Sequence, residues 1–102
     1  MKKFLVLYQG PATAPDASHE GWPEWFHKLG DQLVDRGLPM AHGHSLRGDG
    51  STGDSRASLN GYSIIQAKDM DEALRLLHDH PYLSLSNEYT IEIFDVGFLT
   101  DP

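Results

Sequence analysis

The sequence contains no cysteine, which excludes disulfide bonds and every site built on a thiolate, including iron–sulfur clusters and thiolate zinc sites. Positive charge is also scarce: 8 Lys and Arg stand against 15 Asp and Glu, and the formal net charge is −7. The few basic residues are scattered and form no stripe. Because a negative surface repels phosphate groups, we expect no binding to nucleic acid and none to a membrane surface.

Long hydrophobic runs are missing as well. The apolar run at residues 4–8 is too short for a membrane span or for the core of a signal peptide. We therefore expect a soluble cytoplasmic protein. The 102 residues fit a single domain, residues 1–102, and the 39% of hydrophobic residues are enough for a modest core.

Apolar periodicity predicts six elements in the order strand, helix, strand, strand, helix, strand. The strands are predicted at residues 3–9, 38–47, 62–67 and 89–96, and the helices at residues 23–36 and 70–79. Asp69 and Glu72 predict a capping box at the second helix, whose buried stripe is Met70, Ala73, Leu74 and Leu77. Residues 10–20 and 48–58 are predicted loops, and the second is predicted to be a mobile hairpin connection. The turn signal Asn60-Gly61 follows it and leads into the third strand.

This order predicts an α+β fold with a four-stranded antiparallel sheet and both helices on one face. The first and last strands carry apolar residues on both of their faces, for example Leu5 and Leu7 against Phe4 and Val6. A sheet face without a helix would leave an apolar patch in water, and a second copy of the chain is the simplest cover. We therefore predict a homodimer.

Several segments together resemble the YCII-related proteins, a bacterial family of small dimeric α+β-barrel domains. They are KKFLVLYQGPA, WPEWFHKLGDQLVDRG, the loop with Asp49-Gly50, LNGYSIIQAKDMDEALRLLHDHPYL and IEIFDV. The resemblance implies a ferredoxin-like βαββαβ fold and dimerisation through the sheets. Most members have no assigned reaction, although a histidine with a nearby acidic residue has been suggested as catalytic in the family. Here the histidine of the His-Pro step is His80, which Asp79 precedes, and His27 lies near the position of the family's more typical histidine.

Histidines and aromatic residues are the candidate site residues. Imidazole titrates near neutral pH, so His80 beside Asp79 is a candidate general acid or base, while the alternative is a cap at the end of the second helix. His42 and His44 share a strand face and could offer two ligands to a metal, yet two ligands do not make a site, and we predict no metal. Trp22, Trp25, Phe26 and Tyr62 either fill the core or line a cleft.

The main hypothesis is a dimeric domain that binds a small organic molecule in a cleft between the first helix and the sheet. Its predicted ligand-binding residues are Trp25, His42, His44 and Tyr62. The alternative is an enzyme that needs no cofactor and uses His80 as general acid/base on a small metabolite. A third hypothesis is an interaction module that joins a larger partner through its sheet.

Overall fold

The computed structural model describes residues 1–11 and 21–97. Its strands and helices are β1 (Lys2–Gln9), α1 (Trp22–Leu29), β2 (Leu33–Asp35), β3 (His44–Leu46), β4 (Thr52–Asp54), β5 (Leu59–Ala67), α2 (Met70–Leu77) and β6 (Thr90–Val96). Two 3-10 turns, Gly30–Gln32 and Pro81–Ser84, come after α1 and α2. Most of the loop predicted at residues 10–20 lies outside the described residues.

The main sheet has the strand order β2-β5-β1-β6, and all of its neighbouring strands are antiparallel. In β1 the residues Phe4, Val6 and Tyr8 are buried, whereas the alternate residues Leu5 and Leu7 are only half-buried. This alternation follows from the two-residue period of a strand and assigns the first set to the core. The predicted α+β architecture with a four-stranded antiparallel sheet, which is that of a ferredoxin-like fold, is confirmed.

Both helices pack on the same face of the sheet, as the sequence predicts. Trp25, Phe26 and Leu29 of α1 and Ala73 and Leu77 of α2 are buried in one hydrophobic cluster with the inward side chains of β1 and β5. Among the described residues, no helix is both long and apolar enough to cross a membrane.

The predicted N-cap of α2 is confirmed, although the capping box has a different partner. The Asp69 carboxylate accepts a hydrogen bond from the Glu72 backbone N–H at 2.9 Å. The Glu72 carboxylate accepts from the Lys68 backbone N–H at 2.7 Å, one residue before the cap. The buried stripe is narrower than predicted, because Met70 and Leu74 are 36% and 51% exposed.

Helix α1 is shorter than predicted, and the prediction that it continues to residue 36 is wrong. The backbone at Gly30 has φ of +56° and ψ of −126°, a combination outside the helical region that glycine adopts readily. Nothing lies within 4 Å of the position that a Cβ of Gly30 would occupy, so this glycine stops the helix instead of allowing close packing. Leu33, predicted on the helix, lies in β2 and pairs with Ile65.

The predicted strand at residues 38–47 is wrong in its length and in its place in the main sheet. The sheet neighbour of β5 on this side is β2, followed by an isolated bridge between Pro39 and Gly61. Because proline has no N–H, it cannot extend a regular ladder there. Residues 44–46, near the end of the predicted strand, instead pair with β4 in a separate two-stranded hairpin. Strand β4 lies within the stretch predicted as a mobile connection. Asn60 and Gly61, predicted as a turn, lie inside β5.

The sheet face opposite the helices carries an apolar centre. Leu5 of β1 lies between its cross-strand partners Ile64 and Phe94. Phe94 is 50% exposed, and none of the described helices covers this face. This exposed apolar row agrees with the predicted pattern of strands that are apolar on both faces.

Candidate functional site

A cleft of about 310 Å³ opens between α1, the start of β5 and the segment that follows β2. Its described lining comprises four aromatic residues, one cation, one amide and five small or apolar residues: Tyr8, Trp22, Pro23, Phe26, Arg36, Gly37, Leu38, Pro39, Asn60, Gly61 and Tyr62. The position agrees with the cleft proposed from the aromatic spacing of the first helix.

The first turn of α1 places two of the aromatic walls. Pro23 occupies the first turn of the helix, where a missing N–H leaves no helical hydrogen bond unmade. Gly21 before it has φ of +83°, a left-handed conformation at the N-cap. Trp22 and Phe26 are four residues apart and therefore on one helix face, with ring centroids 6.0 Å apart.

Gly37 forms the opposite wall, where the chain leaving β2 lies directly against β5. Its φ is +75°, and a Cβ at this position would lie 1.7 Å from the backbone oxygen of Tyr62. Only glycine fits so close to another backbone. The Asp35 carboxylate accepts a hydrogen bond from the Gly37 N–H at 2.8 Å and holds the turn.

Arg36 is the only charged side chain among the described residues that line the cleft. Its guanidinium carbon lies 4.7 Å from the centroid of the Phe26 ring, in the geometry of a cation–π interaction. Within the described part of the chain no carboxylate pairs with this guanidinium, and the one ion pair found there joins Lys28 to Asp79. Arg36 therefore keeps its hydrogen-bond donors available beside the cleft.

Tyr8 takes part in a buried chain of hydrogen bonds. Ser63 Oγ lies 2.8 Å from the Tyr8 hydroxyl and 2.8 Å from the backbone oxygen of Arg36. A carbonyl only accepts, so Ser63 donates its single hydrogen to Arg36, and the Tyr8 hydroxyl donates to Ser63. Burial raises the pKa of Tyr8 to about 12, while the hydrogen bond to Ser63 lowers it. Tyr8 is thus a neutral phenol whose proton is already used.

The Asn60 side chain ties the cleft to the rest of the domain. Its Nδ2 donates to the Pro11 backbone oxygen at 2.9 Å and to the Tyr82 hydroxyl at 3.0 Å. With both amide hydrogens used, the carbonyl oxygen is the polar atom of Asn60 that is left to accept a hydrogen bond.

His80 lies next to the cleft but does not line it. Its side chain is 2% exposed and packs against three aromatic rings, with centroid distances of 4.1 Å to Trp25, 4.6 Å to Trp22 and 5.0 Å to Tyr8. Trp22 and Tyr8 also line the cleft, so these two rings form a wall between the imidazole and the cleft.

The protonation of His80 follows from its contacts. The Tyr82 backbone N–H donates to His80 Nδ1 at 2.9 Å, which makes His80 the N-cap of the second 3-10 turn. His80 was predicted as a possible cap at the end of α2, but it caps the 3-10 turn that follows. Burial lowers the pKa of His80 to about 4, and the charge of Asp79 acts in the opposite direction with a smaller effect. The imidazole is therefore neutral, with its hydrogen on Nε2, which has no partner among the described residues.

Asp79 does not orient the imidazole. Its carboxylate forms an exposed ion pair with Lys28 of α1, and the hydrogen bond from Lys28 is the main reason that the pKa of Asp79 is lowered. The Trp25 indole makes the smallest contribution to lowering the pKa of Asp79. No described residue lies in hydrogen-bonding geometry with the Trp25 Nε1. The His80 and Asp79 side chains thus point to different neighbours.

Only one of the four predicted ligand-binding residues lines the cleft, and that residue is Tyr62. Trp25 packs against His80 behind the cleft wall. His42 and His44 are exposed, with ring centroids 6.4 Å apart, and belong to the hairpin region. In the described ranges, no three His, Asp or Glu side chains cluster as a metal site requires.

Arg36 was not predicted as a site residue, because the helix predicted at residues 23–36 extends through it. The structure places it after β2 and beside Phe26, because Gly30 ends α1 six residues earlier. The adjacent Gly37 was the sequence feature that could have placed Arg36 at a turn. It marked a backbone turn correctly, but one that follows a strand and not a helix.

Comparison with known proteins supports the sequence resemblance. The family model of the YCII-related domain matches residues 1–95. A search of curated proteins finds no significant match. Since the family model covers nearly the whole chain, the protein belongs to the YCII-related domain family.

Proposed function

We propose that this domain binds one small organic molecule in the cleft between α1 and the sheet. The observation that carries the proposal is the lining of the cleft, in which four aromatic residues border a space of about 310 Å³. Ligand sites are typically concave, mostly apolar and furnished with a few polar groups, and this cleft has that composition.

The size of the cleft limits the ligand. An apolar cavity of about 150 Å³ is large enough for benzene. The cleft here has about twice that volume, so a substituted single ring or a fused pair of rings fits it. In this proposal Tyr62 contacts the ligand, Trp25 supports the wall from behind, and His42 and His44 have no assigned contact.

The test is calorimetric titration with 1-naphthol, a neutral two-ring probe. Leu38 lines the cleft and is 67% exposed, so Leu38→Trp should fill the cleft without disturbing the core. Leu46→Trp, at a residue of the hairpin that is 78% exposed, is the matched control. Saturable binding that Leu38→Trp removes and Leu46→Trp keeps supports the proposal, and binding that Leu38→Trp leaves unchanged overturns it.

An enzyme that uses His80 as general acid/base is the alternative function. A base at His80 needs a nitrogen lone pair that reaches the ligand. The Nδ1 lone pair already accepts the Tyr82 N–H, and Nε2 carries the hydrogen behind the wall of Tyr8 and Trp22. Catalysis would require the ring to break this hydrogen bond and the wall to open. The resting geometry therefore favours binding over acid–base catalysis.

We also propose that the domain forms a homodimer through the open face of the sheet. The apolar row of Leu5, Ile64 and Phe94 supports this, because a two-fold axis would bury two such rows against each other. Lys3 and Glu92 project from the same face on opposite sides of this row. A two-fold axis across the strands brings Lys3 of one copy towards Glu92 of the other, so the face is complementary to itself in charge.

Sedimentation equilibrium tests the dimer. Phe94→Lys places a charge in the apolar row and should produce monomers at concentrations where the unmodified chain is dimeric. Leu74→Lys introduces the same charge on α2, at a residue 51% exposed on the helical side of the sheet, and should leave the dimer intact. A monomeric unmodified protein, or equal effects of the two substitutions, contradicts the interface.

A further inference from the structure

We infer that the cleft selects an organic anion: a planar aromatic carboxylate whose ring lies among the aromatic walls and whose carboxylate pairs with Arg36. This inference rests on the proposed binding function of the cleft and adds the chemical class of the ligand. It is carried by the placement of one guanidinium in an otherwise uncharged lining.

Arg36 has the features of a carboxylate receptor. Its guanidinium lies over the Phe26 ring at 4.7 Å, which restricts the side chain before any ligand arrives. A planar guanidinium binds a carboxylate through two parallel hydrogen bonds, and such charge-assisted bonds are about twice as strong as neutral ones. Restricting the donor in advance reduces the entropy lost on binding.

The surroundings of Arg36 leave its charge uncompensated. The neighbouring Asp35 turns its carboxylate back onto the Gly37 N–H and forms no ion pair with Arg36. Lys28, by contrast, is neutralised by Asp79 on the outer side of α1. The chain has a net charge of −7, but the one charged residue in the described lining of the cleft is positive. The cleft therefore favours an anion.

The remaining polar groups restrict the rest of the ligand. The Tyr8 proton is used by Ser63, so Tyr8 offers the ligand an aromatic face and no donor. Asn60 has used its two hydrogens on Pro11 and Tyr82, so it contributes only an acceptor oxygen. This combination suits an aromatic acid that also carries a hydroxyl group, whose hydrogen the Asn60 carbonyl can accept.

Three probes of one shape and different charge test the inference: 1-naphthoate, 1-naphthol and 1-naphthylmethylammonium. Titration calorimetry at pH 7 should show 1-naphthoate binding about tenfold more tightly than 1-naphthol, since one charge-assisted pair is involved. The cationic probe should bind most weakly. Raising the salt concentration should reduce the advantage of the anion, because Arg36 is exposed to solvent.

Arg36→Gln should abolish the preference for 1-naphthoate while 1-naphthol still binds. Arg56→Gln makes the same change in net charge at an exposed residue outside the cleft lining and should keep the preference. Equal binding of anion and alcohol to the unmodified protein, or a preference that survives Arg36→Gln, overturns the inference and leaves the cleft proposal standing. If none of the three probes binds, the binding function itself fails.

Discussion

The two sides of the aromatic wall formed by Tyr8 and Trp22 differ in how their polar groups are used. Behind the wall, His80 is 2% exposed, and its Nδ1 is held by the backbone of the next turn. In front of the wall, Arg36 borders an open cleft and has no carboxylate partner among the described residues. The polar atoms of His80 therefore stabilise the fold, whereas the guanidinium of Arg36 is available to bind a ligand.

This difference shows that chemical reactivity of a side chain does not identify a site. Histidine is the residue type most often associated with proton transfer near neutral pH. Here burial lowers the pKa of His80 to about 4, and the Tyr82 N–H fixes its tautomer. Arginine, which does not titrate in proteins, has the geometry to recognise a ligand. The four predictions below test this contrast, from the largest expected effect to the smallest.

Replacement of His80 by Ala should have the largest effect on stability. It removes a buried ring packed against Trp22, Trp25 and Tyr8, together with the acceptor for the Tyr82 N–H. We expect the free energy of unfolding to fall by about 4 kcal/mol, in the range found for large buried side chains. Urea denaturation measures this, and 1-naphthol binding to the fraction that remains folded should persist.

His80→Asn separates the cap from the packing. Asparagine can accept the Tyr82 N–H as an N-cap, so this variant should recover about 1 kcal/mol relative to His80→Ala. If His80→Ala leaves the unfolding free energy unchanged, then His80 is not the structural residue described here.

Gly37→Ala should destabilise the cleft side almost as strongly, by about 3 kcal/mol. The added Cβ would meet the Tyr62 backbone oxygen, and the positive φ adds strain. Gly30→Ala is the matched control, since Gly30 also has positive φ but nothing within 4 Å of the Cβ position. The control should lose only about 1 kcal/mol. Equal losses in thermal or urea denaturation would contradict the close approach of the two backbones.

Stability should depend on pH through His80. Its pKa is 6.5 in an unfolded chain and about 4 in the fold, so between these values the unfolded state binds the extra proton. The contribution of His80 to the free energy of unfolding is therefore complete above pH 6.5. It is lost as the pH falls towards 4, and the loss is at most about 3 kcal/mol. Urea denaturation at several pH values measures the loss, and His80→Asn serves as the control because its curve should lack this contribution. Parallel curves for the two proteins would mean that His80 is not buried as a neutral ring.

Ser63→Ala should have the smallest effect, about 1–2 kcal/mol. It leaves both the Tyr8 hydroxyl and the Arg36 backbone oxygen without their partner. Tyr8→Phe removes only one end of the chain of hydrogen bonds, and Ser63 keeps its bond to Arg36, so this control should lose less than Ser63→Ala. The reverse order in unfolding free energy would contradict the assigned donor directions.

The sequence predicted those elements whose signals are local. Alternation in residues 3–9 and the Asp69 cap lead correctly to β1 and α2. Strand β2 has only three residues, too few to show a period, and its pairing with β5 depends on distant parts of the chain. The positive φ at Gly30, which separates helix from strand, has the same sequence signal as a glycine inside a helix.

Only the aromatic residues of the candidate site were predictable from the sequence. Two tryptophans at a helix start and Tyr62 in the facing strand indicated a cleft beside α1, and Tyr62 lies in its lining. Arg36 could not be assigned to the cleft while the helix was extended through it. The tautomer of His80 depends on the position of the Tyr82 N–H, which no sequence pattern specifies.

The most direct test of the account is an NMR titration with 1-naphthoate at pH 7, following the side-chain nitrogens of histidine and arginine. We predict that the Arg36 guanidinium nitrogens shift with saturation, while His80 keeps its hydrogen on Nε2 throughout. An imidazole at His80 that becomes protonated or changes tautomer when the ligand binds, with Arg36 unmoved, would contradict the division of roles across the Tyr8 and Trp22 wall.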